Sequence, residues 1–287
     1  MNDASAADRL VILGSKGGPA IRRGGPNPTA SLLQIDGRAC VVDCGLGVTR
    51  GLVEAGLDLK HLDLIFITHL HSDHVLELGP LLHTAWTSGW STPVAIFGPP
   101  GLDALWHGFL ASLAYDIDLR IADEGRPDMR DLVTIHEIAE GPLEVPGLDV
   151  AALRVHHPPV TDCFALRFDG VSKHVVFSAD TAPFPPLEDF ARDADILIHE
   201  AMLEHGVDRL VAKTGNGARL KAHIMASHSE AADVARLATR AGARHLVLHH
   251  LVPADDPEIG PDDFAAAVTP HYEGRLTVTY DGLSIPL

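Results

Sequence analysis

Thr68-His69-Leu70-His71-Ser72-Asp73-His74 places three imidazoles and a carboxylate within one short stretch. On an extended chain His69 and His71 point the same way, because side chains alternate with a period of two. Asp73 and His74 then arrive on the turn that opens a helix, so four metal-binding side chains converge. Imidazole nitrogen and carboxylate oxygen suit zinc. A cation with open coordination positions makes water acidic enough to serve as a nucleophile near neutral pH. One such histidine alone is ordinarily a surface or hydrogen-bonded residue. Leaving the whole group buried and unpaired would cost too much for that reading to cover all four.

Such a cluster needs rigid elements beneath it. Leu62–Thr68, with Ile65, Phe66 and Ile67, reads as a strand buried on both faces, and a helix is expected from about Asp73 to Ser88. Upstream, Leu10–Leu13 is a first strand entering the Gly14–Pro28 loop, which lacks phosphate-loop spacing, and Ser31–Ile35 and Arg38–Val42 flank an Asp36-Gly37 hairpin turn. The pattern predicts a short helix over Leu52–Ala55, a strand over Thr92–Gly98, an amphipathic helix from Leu102 to Tyr115, and charged strands and turns over 120–149. The second half repeats the alternation. Strands Asp149–His156, Phe164–Asp169 and Val175–Ser178 precede a helix near Leu187–Arg192, strand Ile196–His199 and helix Ser229–Ala241, closed by Gly242. Strand His245–His249, helix Phe264–Tyr272 and strand Leu276–Tyr280 finish the chain. This alternation argues for an α/β layered sandwich, and without a linker the chain reads as one domain over 1–287, with a frayed tail over 1–8.

Charge narrows the partners. The 287 residues carry 39 acidic and 22 basic side chains, a net charge of −17, which repels an extended polyanion and makes a broad nucleic-acid footprint unexpected. Cys40, Cys44 and Cys163 lack zinc-finger spacing and read as buried free thiols. Neither a long apolar run nor a secretory start is present, so the expectation is a cytoplasmic protein without a membrane partner.

The His-x-His-x-Asp-His pattern resembles the signature of the metallo-β-lactamase fold superfamily, and the resemblance extends over nearly the whole chain. It implies a four-layer αββα sandwich and two metal ions. Later ligands are implied at His157 in Val155-His156-His157-Pro158-Pro159, Asp180 in Phe177-Ser178-Ala179-Asp180-Thr181, and His250 in Leu248-His249-His250-Leu251. Each double histidine offers two candidates, and analogy with the family favours His157 over His156 and His250 over His249. One zinc would take His69, His71 and His157, the other Asp73, His74 and His250, with Asp180 between them; Mn²⁺ or Fe²⁺ are alternatives. Such a centre stays net positive inside an acidic protein and attracts a small anionic electrophile.

Ile196-Leu197-Ile198-His199-Glu200-Ala201 and Ala226-Ser227-His228-Ser229-Glu230-Ala231-Ala232 are similar to segments of the ribonuclease Z and arylsulfatase-like group, where a Glu and a His pair beside the metals. Carried over, Glu200 orients His228, which protonates a leaving oxygen. Pro158–Asp162 and Phe164–Arg167 look like the arylsulfatase-like subgroup. Two departures matter. Gly98-Pro99-Pro100-Gly101 runs into an ordinary amphipathic helix instead of the basic arm with which ribonuclease Z grips tRNA, and Asp73–Leu78 lacks the glycine usual near the start of that helix. Trp86, Trp90, Trp106 and Phe184 fit either the core or an apolar wall for an aromatic leaving group.

The combined expectation is a binuclear zinc-dependent hydrolase of a small ester, sulfate or phosphate ahead of lactone or lactam, with Asp73, Glu200 and His228 in catalysis. A ribonuclease Z-like phosphodiesterase or nuclease is the alternative. An iron oxidoreductase is disfavoured by His71, where the diiron members carry an acid, and a non-catalytic metal scaffold by the Glu200/His228 pair. A small-molecule ester is the expected partner, nucleic acid is not, and relatives imply a homodimer.

Overall fold

Strands that are apolar on both faces must be covered on both sides, and this requirement sets the layers. The computed structural model describes residues 8–214 and 217–287. Its first sheet contains β1 (Arg9–Gly14), β2 (Ala30–Ile35), β3 (Arg38–Val42), β4 (Leu64–Phe66), β5 (Val94–Gly98) and β6 (Val133–Glu137). The second contains β7 (Gly141–Leu143), β8 (Asp149–Arg154), β9 (Phe164–Asp169), β10 (His174–Phe177), β11 (Ile196–Met202), β12 (His245–Val252) and β13 (Arg275–Val278). β14 (Ser284–Pro286) returns to the edge of the first sheet beside β1, giving two seven-stranded sheets.

Alternation along each strand decides which layer a side chain joins. Leu10, Ile12, Phe66 and Phe97 of the first sheet meet Phe164, Phe168, Ile198 and Val247 of the second in the inter-sheet core. The opposite face of the first sheet, with Val11, Val41 and Ile65, packs on α1 (Val48–Glu54), α3 (Leu78–Thr87) and α4 (Leu102–Glu124). Val176, Leu197 and Leu248 likewise face α5 (Pro186–Phe190), α8 (Ala231–Ala241) and α9 (Pro261–Val268). The result is the expected helix–sheet–sheet–helix sandwich.

Strands β3 to β6 run parallel, as do β10 to β13. Loops after β4 and β10 carry His69–His74 and Asp180, and the His249–His250 pair lies near the end of β12. Clefts beyond the carboxyl ends of parallel strands suit ligands, because the loops vary while the strands hold still.

Several elements differ from the sequence expectation. In place of one helix from Asp73 to Ser88 there are α2 (Ser72–Val75) and α3, broken at Leu76–Glu77. Glu77 donates its N–H to the Cys44 carbonyl (2.9 Å), and its carboxylate accepts from Gly47 N (2.5 Å) and Thr49 N (3.0 Å), so it serves the neighbouring turn instead of the helix ladder. Helix α4 continues past Tyr115 to Glu124, over much of the stretch expected to be strands and turns. Ile117 keeps its inner face buried, and Asp116–Arg120–Glu124 ion pairs support its outer face.

The unassigned stretch after β11 folds as α6 (Glu204–Thr214) and α7 (Gly217–Ser227), seated on a small core of Met202, Val207, Ile224 and Val252. Trp86, Trp90 and Trp106 are buried in the core under α3 and α4, and Phe184 packs against the second sheet's helices, so none walls the cleft beside the histidines. All three cysteines are free and buried. No described helix is long and apolar enough to cross a membrane. Of the expected tail, residues 1–7 lie outside the described residues, while the Asp8 carbonyl accepts from Leu287 N (3.0 Å).

Phe66 stacks on Phe97 and meets Phe168 edge-on, with both ring centroids 5.1 Å away. Phe66→Ala should remove about 3–5 kcal/mol of stability, read as a lower urea midpoint at unchanged slope.

Candidate metal centre

Asp43, at the turn after β3, organises the first part of the site from a left-handed backbone (φ 62°). Its buried carboxylate accepts from Thr68 N (2.8 Å) and Thr68 Oγ1, which fixes the start of the histidine loop. It also accepts from His74 Nδ1 (2.8 Å), so the other ring nitrogen, Nε2, turns toward the cleft. Thr68 Oγ1, whose proton goes to Asp43, can accept from His69 Nδ1 (3.1 Å), which leaves His69 Nε2 as a lone pair. His157 Nδ1 donates to the Ser227 carbonyl (2.9 Å), with the same outcome. Partners of this kind set the tautomer and direction of metal-binding imidazoles. Sequence reasoning missed Asp43, since a lone carboxylate before Cys44-Gly45 has no spacing relation to the histidine loop.

The lone pairs so directed face one another. His71 Nδ1 lies 3.0 Å from His69 Nε2 and 3.1 Å from His157 Nε2, and Asp180 Oδ2 is 3.8 Å from both His69 Nε2 and His157 Nε2. Adjacent donors around a tetrahedral zinc with bonds of about 2.0–2.1 Å lie roughly 3.3–3.4 Å apart. In the second group, Asp73 Oδ2 is 3.4 Å from His250 Nε2 and 3.7 Å from His74 Nε2. Asp180 Oδ2 touches this group too, 3.1 Å from His250 Nε2 and 3.4 Å from His74 Nε2. His74 Nε2 and Asp180 Oδ1 are buried without a hydrogen-bond partner. Orphaned nitrogen and oxygen donors around two adjoining points fit divalent cations, and the seven residues expected from the sequence are the ones brought together.

The two members of each double histidine are placed differently. His157 is buried in the cluster and His156 is exposed. On β12 the pairing with β11 shifts between Glu200 and Ala201, so that Glu200 faces His249 and Ala201 faces Leu251. His250 is the extra residue of this bulge (φ 46°), and the bulge turns its ring into the cleft. His249 is held by the Gly14 carbonyl instead (2.8 Å).

Glu200 reaches the same cleft from β11. Its Oε1 accepts from Thr181 N (3.0 Å) and Ser229 N (3.2 Å), and its carboxylate faces His228 Nδ1 at 3.1 and 3.2 Å. His228 stacks on His250 (5.4 Å, 20°), and His228, His250 and Asp180 together form a third group with ligand atoms close enough to share an ion. The loop after β1 closes the other side. Lys16 is buried and donates from Nζ to the Gly18 (2.8 Å) and Ala20 (2.6 Å) carbonyls, while Gly18 N donates to Asp73 Oδ2 (2.7 Å). A Cβ at Gly17 would lie 2.7 Å from the His250 ring, so the loop can lie on that imidazole only without a side chain there. That role was not foreseen from sequence.

Charge is distributed unevenly across the cluster. Burial holds His69 well below the usual imidazole range and brings His71 down to about 4, and it lowers His157, leaving three neutral donors. Burial also opposes charge on His74 and His250, but the Asp180 carboxylate, helped by Asp43 and Asp73 at His74 and by Asp73 at His250, outweighs it; His74 rises well above its usual range and His250 to about 10. Conversely, His74 and His250 overcome the burial of Asp73 and Asp180 and hold both carboxyls ionised. Glu200 similarly outweighs burial at His228 and raises it.

Between this cluster and the α6–α7 hairpin lies a cavity of about 310 Å³. Leu210, Leu220, Ile224 and Val252 give it an apolar side, and His71, Asp73, Asp180, His228 and His250 form its polar end.

The sequence profile of the Anti-Pycsar protein Apyc1 family matches residues 9–230. A ribonuclease Z of Mycobacterium bovis is 32% identical over 266 residues, covering 90% of each chain. Among solved structures, the metallo-β-lactamase fold protein YhfI of Bacillus subtilis superposes with a TM-score of 0.71 at 23% identity, over 97% of this chain and 99% of its own. The short form of human tRNase Z superposes at 0.67 and 21%, over 96% and 98%. These two likenesses concern the fold.

Cation binding requires neutral imidazoles, whereas the carboxylates beside His74 and His250 favour the protonated form of both rings in the metal-free cluster. Adding zinc to metal-free protein near neutral pH should therefore release protons, measured with a pH indicator in weak buffer. Uptake of zinc without acidification would show both rings already neutral. Asp180→Ala should lower metal content in elemental analysis while the far-ultraviolet dichroism stays native.

Proposed function

The chain belongs to the Apyc1 family and to the ribonuclease Z branch of the metallo-β-lactamase fold superfamily, and from that membership we propose that it is a metal-dependent phosphodiesterase. One observation carries the reading: two His/Asp groups share Asp180 beside a Glu200–His228 pair, in a chain whose relatives at this identity bear the name ribonuclease Z. These relatives favour the ribonuclease Z-like phosphodiesterase, the alternative in the sequence reading, over the small-ester hydrolase that is its main expectation. The proposed cofactor is a pair of zinc ions, one at His69, His71 and His157 and one at Asp73, His74 and His250, with Asp180 shared; Mn²⁺ or Fe²⁺ would suit the same donors. When bound, such ions supply Lewis acidity and lower the pKa of water.

The remaining chemistry falls to the chain itself. Asp73 and Asp180 place the cluster's negative charge at the polar end of the cavity. Glu200, fixed by two backbone N–H groups, orients His228 and favours its protonated form, so that an Nε2 proton can pass to the departing ester oxygen. The apolar hairpin side gives the substrate's organic group a dry surface.

A small diester fits better than folded RNA. The net charge of −17 repels a polyanion, and the residues after Gly98–Gly101 form α4, whose Leu102, Trp106, Leu110 and Ile117 are buried in the core and leave no basic arm there. Of the cavity's cations, Lys16 is committed to its own loop and Arg22 pairs with Asp255 (2.5 Å).

Metal-depleted protein reloaded with zinc should hydrolyse bis(4-nitrophenyl) phosphate, with much slower turnover of 4-nitrophenyl sulfate and of a lactone. Absence of diester turnover under full metal loading would overturn the proposal, and efficient processing of a precursor tRNA would restore the RNA reading. His228→Ala should lower kcat about 10²–10⁴-fold at unchanged metal content. Loss of metal would instead make His228 a ligand.

A further inference from the structure

Helix α7 ends against the metal cluster, and its imidazole, His223, stands just outside the ligand groups. The His223 ring centroid is 6.3 Å from that of His71, 6.4 Å from His157 and 6.5 Å from His228. Contacts between rings inside the cluster run shorter, such as 4.0 Å for His69–His74 and 4.9 Å for His71–His157. The wider spacing does not suit a common cation, but it accommodates an interposed oxygen. His223 is half-buried and lines the 310 Å³ cavity together with Asp73, Asp180 and His228.

Ser227 holds two histidines in different ways. Its carbonyl accepts from His157 Nδ1 at 2.9 Å, which locks that tautomer. Its hydroxyl donates to the Pro158 carbonyl and lies 3.4 Å from His223 Nδ1, a contact too long to lock the ring. A resident ligand needs a fixed lone pair, whereas a donor to a transient oxygen needs only a free N–H. His223 Nε2 has no hydrogen-bond partner among the described residues, and Lys16 and Arg22 are already engaged.

We infer that His223 contacts the substrate: its Nε2–H donates to a non-bridging phosphoryl oxygen of a diester bound against the cluster. No bond to His223 is made or broken. Its hydrogen bond strengthens as charge accumulates on that oxygen. The inference rests on the phosphodiesterase reading for its substrate, but the contact also applies to inorganic phosphate.

His223→Ala and His223→Gln, both zinc-loaded, test it against wild type. A hydrogen bond to a charged oxygen corresponds to about 10- to 100-fold. His223→Ala should lose that much in kcat/KM on bis(4-nitrophenyl) phosphate and bind inorganic phosphate more weakly by a comparable factor, with unchanged metal content. Gln, whose amide N–H can stand near the position of Nε2, should restore at least a fifth of both values. Activity and phosphate affinity within twofold of wild type in His223→Ala would overturn the inference, as would loss of metal. Failure of Gln to rescue either property would leave bulk, not donation, as the cause and would also overturn it. If wild type turns over no diester, the functional proposal fails separately, and phosphate affinity alone decides the role of His223.

Discussion

A carboxylate with no access to water must be met by positive charge or hydrogen-bond donors, and Asp180 sets that demand at the centre of this protein. Only 2% of the residue is exposed, and imidazole nitrogens of His69, His74, His157 and His250 lie within 3.8 Å of its Oδ2. Those rings come from the loop after β4, the turn after β8 and the end of β12, so one side chain draws together loops of both sheets. Strand β10 holds Asp180 by parallel pairing to β11, and Ala179 before it takes a left-handed backbone (φ 55°). Three of the non-glycine residues with positive φ, Asp43, Ala179 and His250, belong to this region, where backbone strain is compensated by the surrounding packing.

The cluster also has a self-consistent metal-free form. Asp73 and Asp180 can be balanced by protons on His74 and His250, while His69, His71 and His157 remain neutral. Protons and cations therefore compete for one set of atoms. The inter-sheet core, built from Phe66, Phe97, Phe164 and Phe168, supplies burial that depends on neither.

Much of this was readable in the sequence, for physical reasons. His69, His71, Asp73 and His74 are neighbours, so spacing alone brings them together. Continuous apolar strands next to amphipathic helices dictate covered sheets. Asp180, His157 and His250 needed the family resemblance, because contacts between distant strand ends have no local periodicity. Asp43 and Lys16 stayed hidden since their roles are hydrogen bonds to backbone and to residues remote in sequence. A bulge such as that at His250 interrupts the alternation by which strands are recognised. Glu77 broke a helix through contacts to a turn some thirty residues earlier, a link that separations of three and four residues cannot show. The α6–α7 hairpin escaped notice because Gly217, Lys213 and Lys221 dilute its apolar pattern and few of its residues reach a core.

Gly17 carries a consequence for how this protein can diversify. A methyl group there would press on both His250 and Val252, at 2.6–2.8 Å, so the position has no room for a side chain. Pro19, Ala20 and Ile21, only a few residues further along the same loop, are exposed. Substitution at Pro19 or Ala20 would therefore reshape the rim of the cleft and leave His250 untouched, whereas any side chain at Gly17 would disturb the ring itself.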